Sequence, residues 1–279
     1  MVYKTILVSL NDVPRVDAMI DAAAQIAKTY DSHLIGCYVI PAVTIYPEVG
    51  FASPYAVNDT RQQYFKTNTA VVKERFEGKL RRDGLKGEWR TVNTVYSEIA
   101  PSLMEHGRAA DLIVVSQIAE DQMANIEPGL VERAVMESGR PVLIIPQKGT
   151  LGEIKSVVIG FNATREATRA LFDGLPFLRG AKDVRVVWVD PYKERSVAGE
   201  VPGAEAAEAL ARHGVKATAE GLAAGGANAG EALLQHVNDL GAELLIMGAY
   251  AHSRMREYIF GGATQHVLAH ANVPVLMSH

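Results

Sequence analysis

The chain repeats itself, and no other feature narrows its fold as far. Lys4-Thr5-Ile6-Leu7-Val8-Ser9-Leu10-Asn11 returns as Lys155-Ser156-Val157-Val158-Ile159-Gly160-Phe161-Asn162. Each is a short apolar run of strand type that ends in asparagine. A helix-patterned stretch follows each copy, Asp17 to Tyr30 and Arg165 to Leu178. An apolar strand closing on proline comes next, Leu34 to Pro41 and Val184 to Pro191. Later, Ala110-Asp111-Leu112-Ile113-Val114-Val115-Ser116 matches Ala242-Glu243-Leu244-Leu245-Ile246-Met247-Gly248. Both halves finish on a strand led by proline, Pro141-Val142-Leu143-Ile144-Ile145 and Pro274-Val275-Leu276-Met277. A repeat of about 150 residues in this chain means two copies of one module.

Strands alternating with helices at these lengths predict βαβ units and parallel sheets, an α/β fold. Each half reads as five strands and four helices. The middle strands are Glu88 to Val92 and Val215 to Glu220. The helices after them start near Ser97-Glu98 and run from Asn228 to Asp239. Thr150-Leu151-Gly152-Glu153 is the boundary, which gives domains 1–148 and 153–279. The halves differ most after their second strands. The first inserts Thr44 to Asp59, rich in Pro, Tyr and small residues, and then a long charged helix to about Arg82. That insertion is expected to be a loop or lid. The second has only Tyr192 to Gly203 and a short helix from Ala204 to Arg212. The closing strands, Val142 to Ile145 and Val275 to Met277, are apolar edges in need of cover, and pairing with each other supplies it.

Bulk properties exclude several classes. The chain has 279 residues, 48% of them apolar, enough for a sizeable core. A formal net charge of -4 leaves no basic excess for a nucleic-acid backbone. No apolar run is long enough for a membrane span, and Met1-Val2-Tyr3-Lys4 leads into the first strand without a signal-peptide layout, so a cytoplasmic protein is expected. The single cysteine, Cys37, forms no internal disulfide and falls in an apolar strand, where inert burial is expected.

The chemistry-bearing stretch lies near the C-terminus. The buried-strand run Leu244-Leu245-Ile246-Met247 stops at Gly248. A partly basic segment follows with His252, Arg254 and Arg256, and then Gly261-Gly262-Ala263-Thr264 opens a helical pattern. Glycines at a helix start let main-chain N–H groups approach an anion, and the helix dipole favours it. Taken alone, these glycines fit a tight turn and a capped helix better than an anion cradle.

The spacing is more specific. Gly248, two residues, Ala251, nine residues, Gly261 resembles the nucleotide-binding signature of the universal stress protein family: Gly, two residues, Gly, nine residues, Gly, then Ser or Thr. Two positions depart from it. Ala251 replaces the second glycine, and Gly262 replaces the hydroxyl residue, with Thr264 two positions on. The resemblance covers nearly the whole chain as a tandem of two such domains. It implies Rossmann-like domains of the adenine nucleotide alpha hydrolase type, each a five-stranded parallel sheet of order 3-2-1-4-5. Their last strands pair antiparallel in a pseudo-two-fold dimer, and further homodimer formation is compatible with this. It implies ATP or another adenine nucleotide as ligand, Mg2+ only as a companion of bound ATP, and at most slow hydrolysis. The residues it carries over are Phe161, Asn162, Ala163, Val189, Met247, Gly248, Ala251, Gly261, Gly262, Ala263 and Thr264. Asn162 stands where the family usually has Asp.

The first half keeps the spacing and loses the chemistry: Ser116, Ala119 and Leu130 replace the first two glycines and the hydroxyl residue around Gly129, and Glu120, Asp121 and Glu127 add acid where phosphate would lie. Nucleotide is therefore expected in the second half only. His266 and His270 are spaced like metal ligands but lack a third partner, and no metal is expected. Gly225-Gly226-Ala227-Asn228-Ala229-Gly230 follows the third strand of its half, so loop and helix-start roles fit it better than a dinucleotide fingerprint. No nucleophile elbow, Walker lysine or Cys-x-x-Cys occurs, which argues against a dedicated enzyme. A scaffold that has lost nucleotide binding remains the alternative, favoured by Ala251 and Gly262.

Overall fold

The computed structural model describes residues 2–43, 55–118, 127–190, 203–249 and 262–279, with the backbone alone for 55–59. Helices and strands alternate: β1 (Thr5–Ser9), α1 (Val16–Tyr30), β2 (His33–Ile40), α2 (Tyr55–Asp83), β3 (Gly87–Asn93), α3 (Ala100–Gly107), β4 (Leu112–Ser116), α4 (Leu130–Glu137) and β5 (Val142–Ile145). The second series is β6 (Ser156–Gly160), α5 (Arg165–Asp173), α6 (Leu175–Leu178), β7 (Asp183–Val189), α7 (Ala204–Arg212), β8 (Thr218–Leu222), α8 (Ala229–Leu240), β9 (Leu244–Gly248), α9 (Gly262–His270) and β10 (Val275–Ser278). The fold is α/β and Rossmann-like, with mostly parallel strands flanked by helices.

Two compact units form, Tyr3–Arg140 and Pro141–His279, the latter with Val2. In the first the strands run β3-β2-β1-β4, all parallel. In the second the order β8-β7-β6-β9-β10 is parallel throughout and is the 3-2-1-4-5 arrangement. β5 belongs to this second unit because it pairs antiparallel with β10, Leu143 opposite Leu276. The two proline-led apolar strands thus cover each other.

Central strands explain the legible part of the sequence. Ile6, Leu7 and Val8 of β1, Leu112 to Val114 of β4 and Leu244 to Ile246 of β9 are all 0% exposed. Covered on both faces, such strands read as unbroken apolar runs. In the first unit α2 lies over β2 and β3 through Phe65 and Phe76, which enclose Tyr38 and Trp89. Gly36 makes room for this, because a Cβ there would sit 2.9 Å from the Phe76 ring. Cys37 is fully buried, and burial pushes its thiol up to about 12, so it is inert at neutral pH.

Three local readings change. Residues 55–59, read as part of a loop, form the first turn of α2, while 44–54 lie outside the described residues. β8 begins at Thr218 rather than Val215, because the Val215 N–H is taken by the carbonyl of Leu210 at the end of α7. The pattern Arg165 to Leu178 divides into α5 and α6 at Gly174, where a Cβ would meet the Ile246 side chain at 2.6 Å. Among the described residues no helix is long and apolar enough to cross a membrane.

Candidate functional site

Ligands of open parallel sheets bind beyond the carboxyl ends of strands where the strand order reverses. In the second unit that point lies between β6 and β9. The pairing of Gly160 with Met247 brings the loop after β6 beside the end of β9. Phe161 continues β6, its N–H donating to Val187 O and its ring meeting Trp188 edge-on at 6.1 Å. Asn162 Oδ1 accepts from the Thr164 hydroxyl at 2.8 Å and from the Thr164 N–H at 3.4 Å, an Asx turn. Ala163 between them takes a left-handed φ of 56°. Thr164 is the N-cap of α5, its hydroxyl oxygen accepting from Ala167 N. The loop is therefore wound into the first turn of α5.

Gly248 meets that same turn. A Cβ on it would come within 2.3 Å of Ala167 N and 2.5 Å of the Glu166 carbonyl carbon. Glycine is required here by the main chain of α5, a constraint that operates whether or not a ligand is present. Beside it, Glu166 is a buried carboxylate held by Arg165, with N···O distances of 2.8 and 2.9 Å. Burial works to raise the Glu166 carboxyl, but its hydrogen bonds, Arg165 and the nearby His279 outweigh it and hold it below the ordinary glutamate range. Met247 is buried, and Val189 is half-buried at the end of β7. The next residue, Asp190, accepts from Ala224 N at 3.0 Å and joins the ends of β7 and β8.

α9 opens at Gly262, which is exposed, and a Cβ there would have nothing among the described residues within 4 Å. Ala263 is half-buried, and Thr264 is buried, 3% exposed. Gly230 of α8 touches this turn, since a Cβ on it would lie 2.4 Å from Ala263 O and 2.9 Å from Ala263 Cα. The first turns of α8 and α9 therefore meet backbone to backbone. Asn228 caps α8 by accepting from Glu231 N at 2.9 Å. Sequence spacing marks Gly230 only as a helix-start glycine; its close approach to α9 is a tertiary fact. Ala251, Gly261, Arg254 and Arg256 lie outside the described residues. His266 and His270 stack at 4.3 Å, and among the described residues no group of three or more potential metal ligands converges.

The equivalent point of the first unit lies between β1 and β4. There Ser116 donates to Asp12 Oδ2 at 2.6 Å and accepts from Arg15 Nη1 at 2.6 Å. Burial raises the Asp12 carboxyl, against the opposing effects of Ser116 and Arg15, and burial lowers the Arg15 guanidinium. Glu127, read above as acid facing phosphate, has another role: it caps α3, accepting from Ile99 N and from Ala100 N at 3.1 Å, and pairs with Arg133 at 3.3 Å. Ala119, Glu120 and Asp121 lie outside the described residues.

Residues 153–279 match the model of the universal stress protein family. A universal stress protein from Synechocystis is 41% identical over 49 residues, a match that spans 18% of this chain and 17% of that protein's length. In structure the chain is similar to a universal stress protein from Archaeoglobus fulgidus, with TM-score 0.70 and 14% identity over 98% of this chain and 97% of that one. A protein of unknown function from Pseudomonas aeruginosa matches with TM-score 0.58 and 15% identity over 99% and 92%. Identities this low speak for the fold alone. The family match and the 3-2-1-4-5 order coincide on one stretch, and residues 153–279 constitute one universal stress protein domain.

Proposed function

We propose that the chain is a tandem of two universal stress protein domains, 1–148 and 153–279, whose second domain binds one adenine nucleotide as a regulatory ligand. The observation that carries this is local. Within the family-matched residues, Gly248 ends β9 and Gly262-Ala263-Thr264 opens α9, beside the point where strand order reverses. Main-chain N–H groups at the opening of a helix suit a phosphate, helped by the helix dipole. Phe161, Asn162 and Ala163 then flank the ribose, and the Val189 main chain meets the base. Mg2+ accompanies ATP where ATP is the ligand.

The role is regulatory rather than catalytic, in a cytoplasmic stress response. Asn162 Oδ1 is occupied by Thr164 and Glu166 by Arg165. Neither is poised to take a proton from an attacking water. The test is to identify by mass spectrometry any nucleotide released from natively purified protein, and to titrate the emptied protein with ATP in a calorimeter. One ATP per chain is the expected result. Absence of both a released nucleotide and any binding heat at millimolar ATP would overturn the reading.

A further inference from the structure

The unit Pro141–His279 carries an open cleft of about 240 Å³ between α8 and the loop that follows β8. Leu222, Ala227 and Ala232 give it an apolar lining. One face of α8 gives it a polar one: Glu231, Gln235 and Asp239. These three stand four residues apart, so side-chain acceptors recur along the cleft at steps of about 6 Å. The opposite wall is fixed by its own hydrogen bonds. Asp190 Oδ1 accepts from Ala224 N at 3.0 Å, and Ala227 N donates to Ala224 O at 3.0 Å. Gly225 and Gly226 make the turn between them with left-handed φ of 62° and 98°. The cleft is therefore formed before any ligand arrives.

Its charge is one-sided. The nearby acid Glu220 is answered by His236, which lines the cleft, at 2.8 Å and by Arg185 at 3.6 Å. Glu231 and Asp239 have no ion-pair partner among the described residues. Gln235 gives its Nε2 to Asp239 Oδ1 at 2.8 Å, which leaves its Oε1 as an acceptor between the two acids. An anion is repelled here. A single metal ion does not bridge the ends, because residues eight apart on one helix are about 12 Å from each other. What matches is an extended hydrocarbon chain with cationic centres at the helical step.

We infer that this cleft binds a linear aliphatic polyamine of the spermidine type. Its terminal ammonium groups meet Glu231 and Asp239, its central one meets Gln235 Oε1, and its methylenes cover Ala232 and Leu222. The amines of spermidine, joined by three and four methylenes, lie about 5–6 Å apart in the extended chain, close to the step on α8. The first unit lacks this ladder. Aligned on the pairs Arg90–His106 and Glu220–His236, its equivalent positions are Pro101, Glu105 and Ala109. One site per chain follows, and it does not rest on nucleotide binding.

The test is calorimetry on the full chain at low salt and without nucleotide. The probes are spermidine, 1,8-diaminooctane, which has the same length without the central amine, and putrescine, which is too short to reach both acids. Spermidine should bind once per chain, and putrescine more weakly. Glu231→Gln and Asp239→Asn should each weaken spermidine by about two- to fivefold. Gln235→Leu should weaken spermidine but not 1,8-diaminooctane. Ala232→Leu, which fills the cleft without touching a charge, should weaken both. Glu205→Gln, at an exposed acid of α7 outside the cleft, should change nothing. Glu231, Gln235 and Asp239 are exposed, so their variants keep the fold. The inference is wrong if spermidine does not bind at millimolar concentration, or if putrescine binds as tightly. It is also wrong if Glu205→Gln weakens spermidine as much as the cleft variants do, which would mean diffuse attraction of a polycation to an acidic chain.

Discussion

Asn11 holds both main-chain groups of a single residue, Val39: its Nδ2 donates to Val39 O at 2.6 Å and its Oδ1 accepts from Val39 N at 3.1 Å. This clamp joins the end of β1 to β2 in the buried interior. Its repeat partner Asn162 instead turns a loop into α5. The same residue at the same place in the two copies does two different jobs. Asn11→Ala strands two buried main-chain groups at roughly 1–3 kcal/mol each. Asn162→Ala loses a turn at a partly exposed helix start, about 1 kcal/mol. Urea denaturation of the two variants should rank them in that order, and equal losses would contradict the clamp.

Gly248 and Gly262 belong to one signature, yet the structure separates their roles. Gly248→Ala drives a methyl group into the main chain of Ala167, which cannot swing away as a side chain can. Overpacking of this kind costs about 1–3 kcal/mol. Gly262→Ala meets none of the described residues and should change stability by no more than about 0.5 kcal/mol. Denaturation midpoints measured without nucleotide decide the matter. If the two variants lose equal stability, the α5 contact is not what requires Gly248.

Asp12 predicts a pH dependence. Burial raises its carboxyl above the ordinary value of 3.8, so the folded protein holds this proton more tightly than the unfolded chain. The contribution of Asp12 to stability is therefore most favourable below the unfolded value and declines as pH rises through the raised one. Asp12→Asn removes that decline. Plotted from about pH 4 to pH 7, the stability of the parent relative to the variant should fall. A difference that stays flat across this range would mean that Asp12 titrates normally.

Legibility followed burial. β1, β4 and β9 are covered on both faces, so their continuous apolar runs announce them, and the two proline-led strands announce their need for each other. β3 and β8 have exposed and half-buried positions and no such run, so the pattern does not mark the start of β8 at Thr218. The end of β9 at Gly248 and the start of α9 at Gly262 were readable, because glycines mark a strand end and a helix start. The reasons behind its residues were not. Gly248 answers to Ala167, Gly230 to Ala263, and Glu127 to the N–H groups of Ile99 and Ala100. Each is a contact between residues far apart in sequence, and periodicity carries no record of such contacts.

The departure of Gly262 from the family signature offers a test by gain rather than loss. The signature that this stretch resembles has Ser or Thr at this position, and Gly262 offers the N–H without a hydroxyl. Thr264, two positions on, is buried, 3% exposed. Among the described residues a Cβ at Gly262 meets nothing within 4 Å, so none of them stands in the way of a serine side chain. One added hydrogen bond to a phosphate oxygen contributes about 0.5–1.5 kcal/mol net. That corresponds to roughly two- to twelvefold tighter binding. Gly262→Ser should therefore bind ATP more tightly than the parent by calorimetry, with unchanged stoichiometry and an unchanged unfolding midpoint in the absence of nucleotide. Gly262→Ala should show no such gain, since it adds the carbon without the hydroxyl. Equal affinities for the serine and alanine variants would mean that phosphate does not sit at the opening of α9, even if ATP binds elsewhere in the domain.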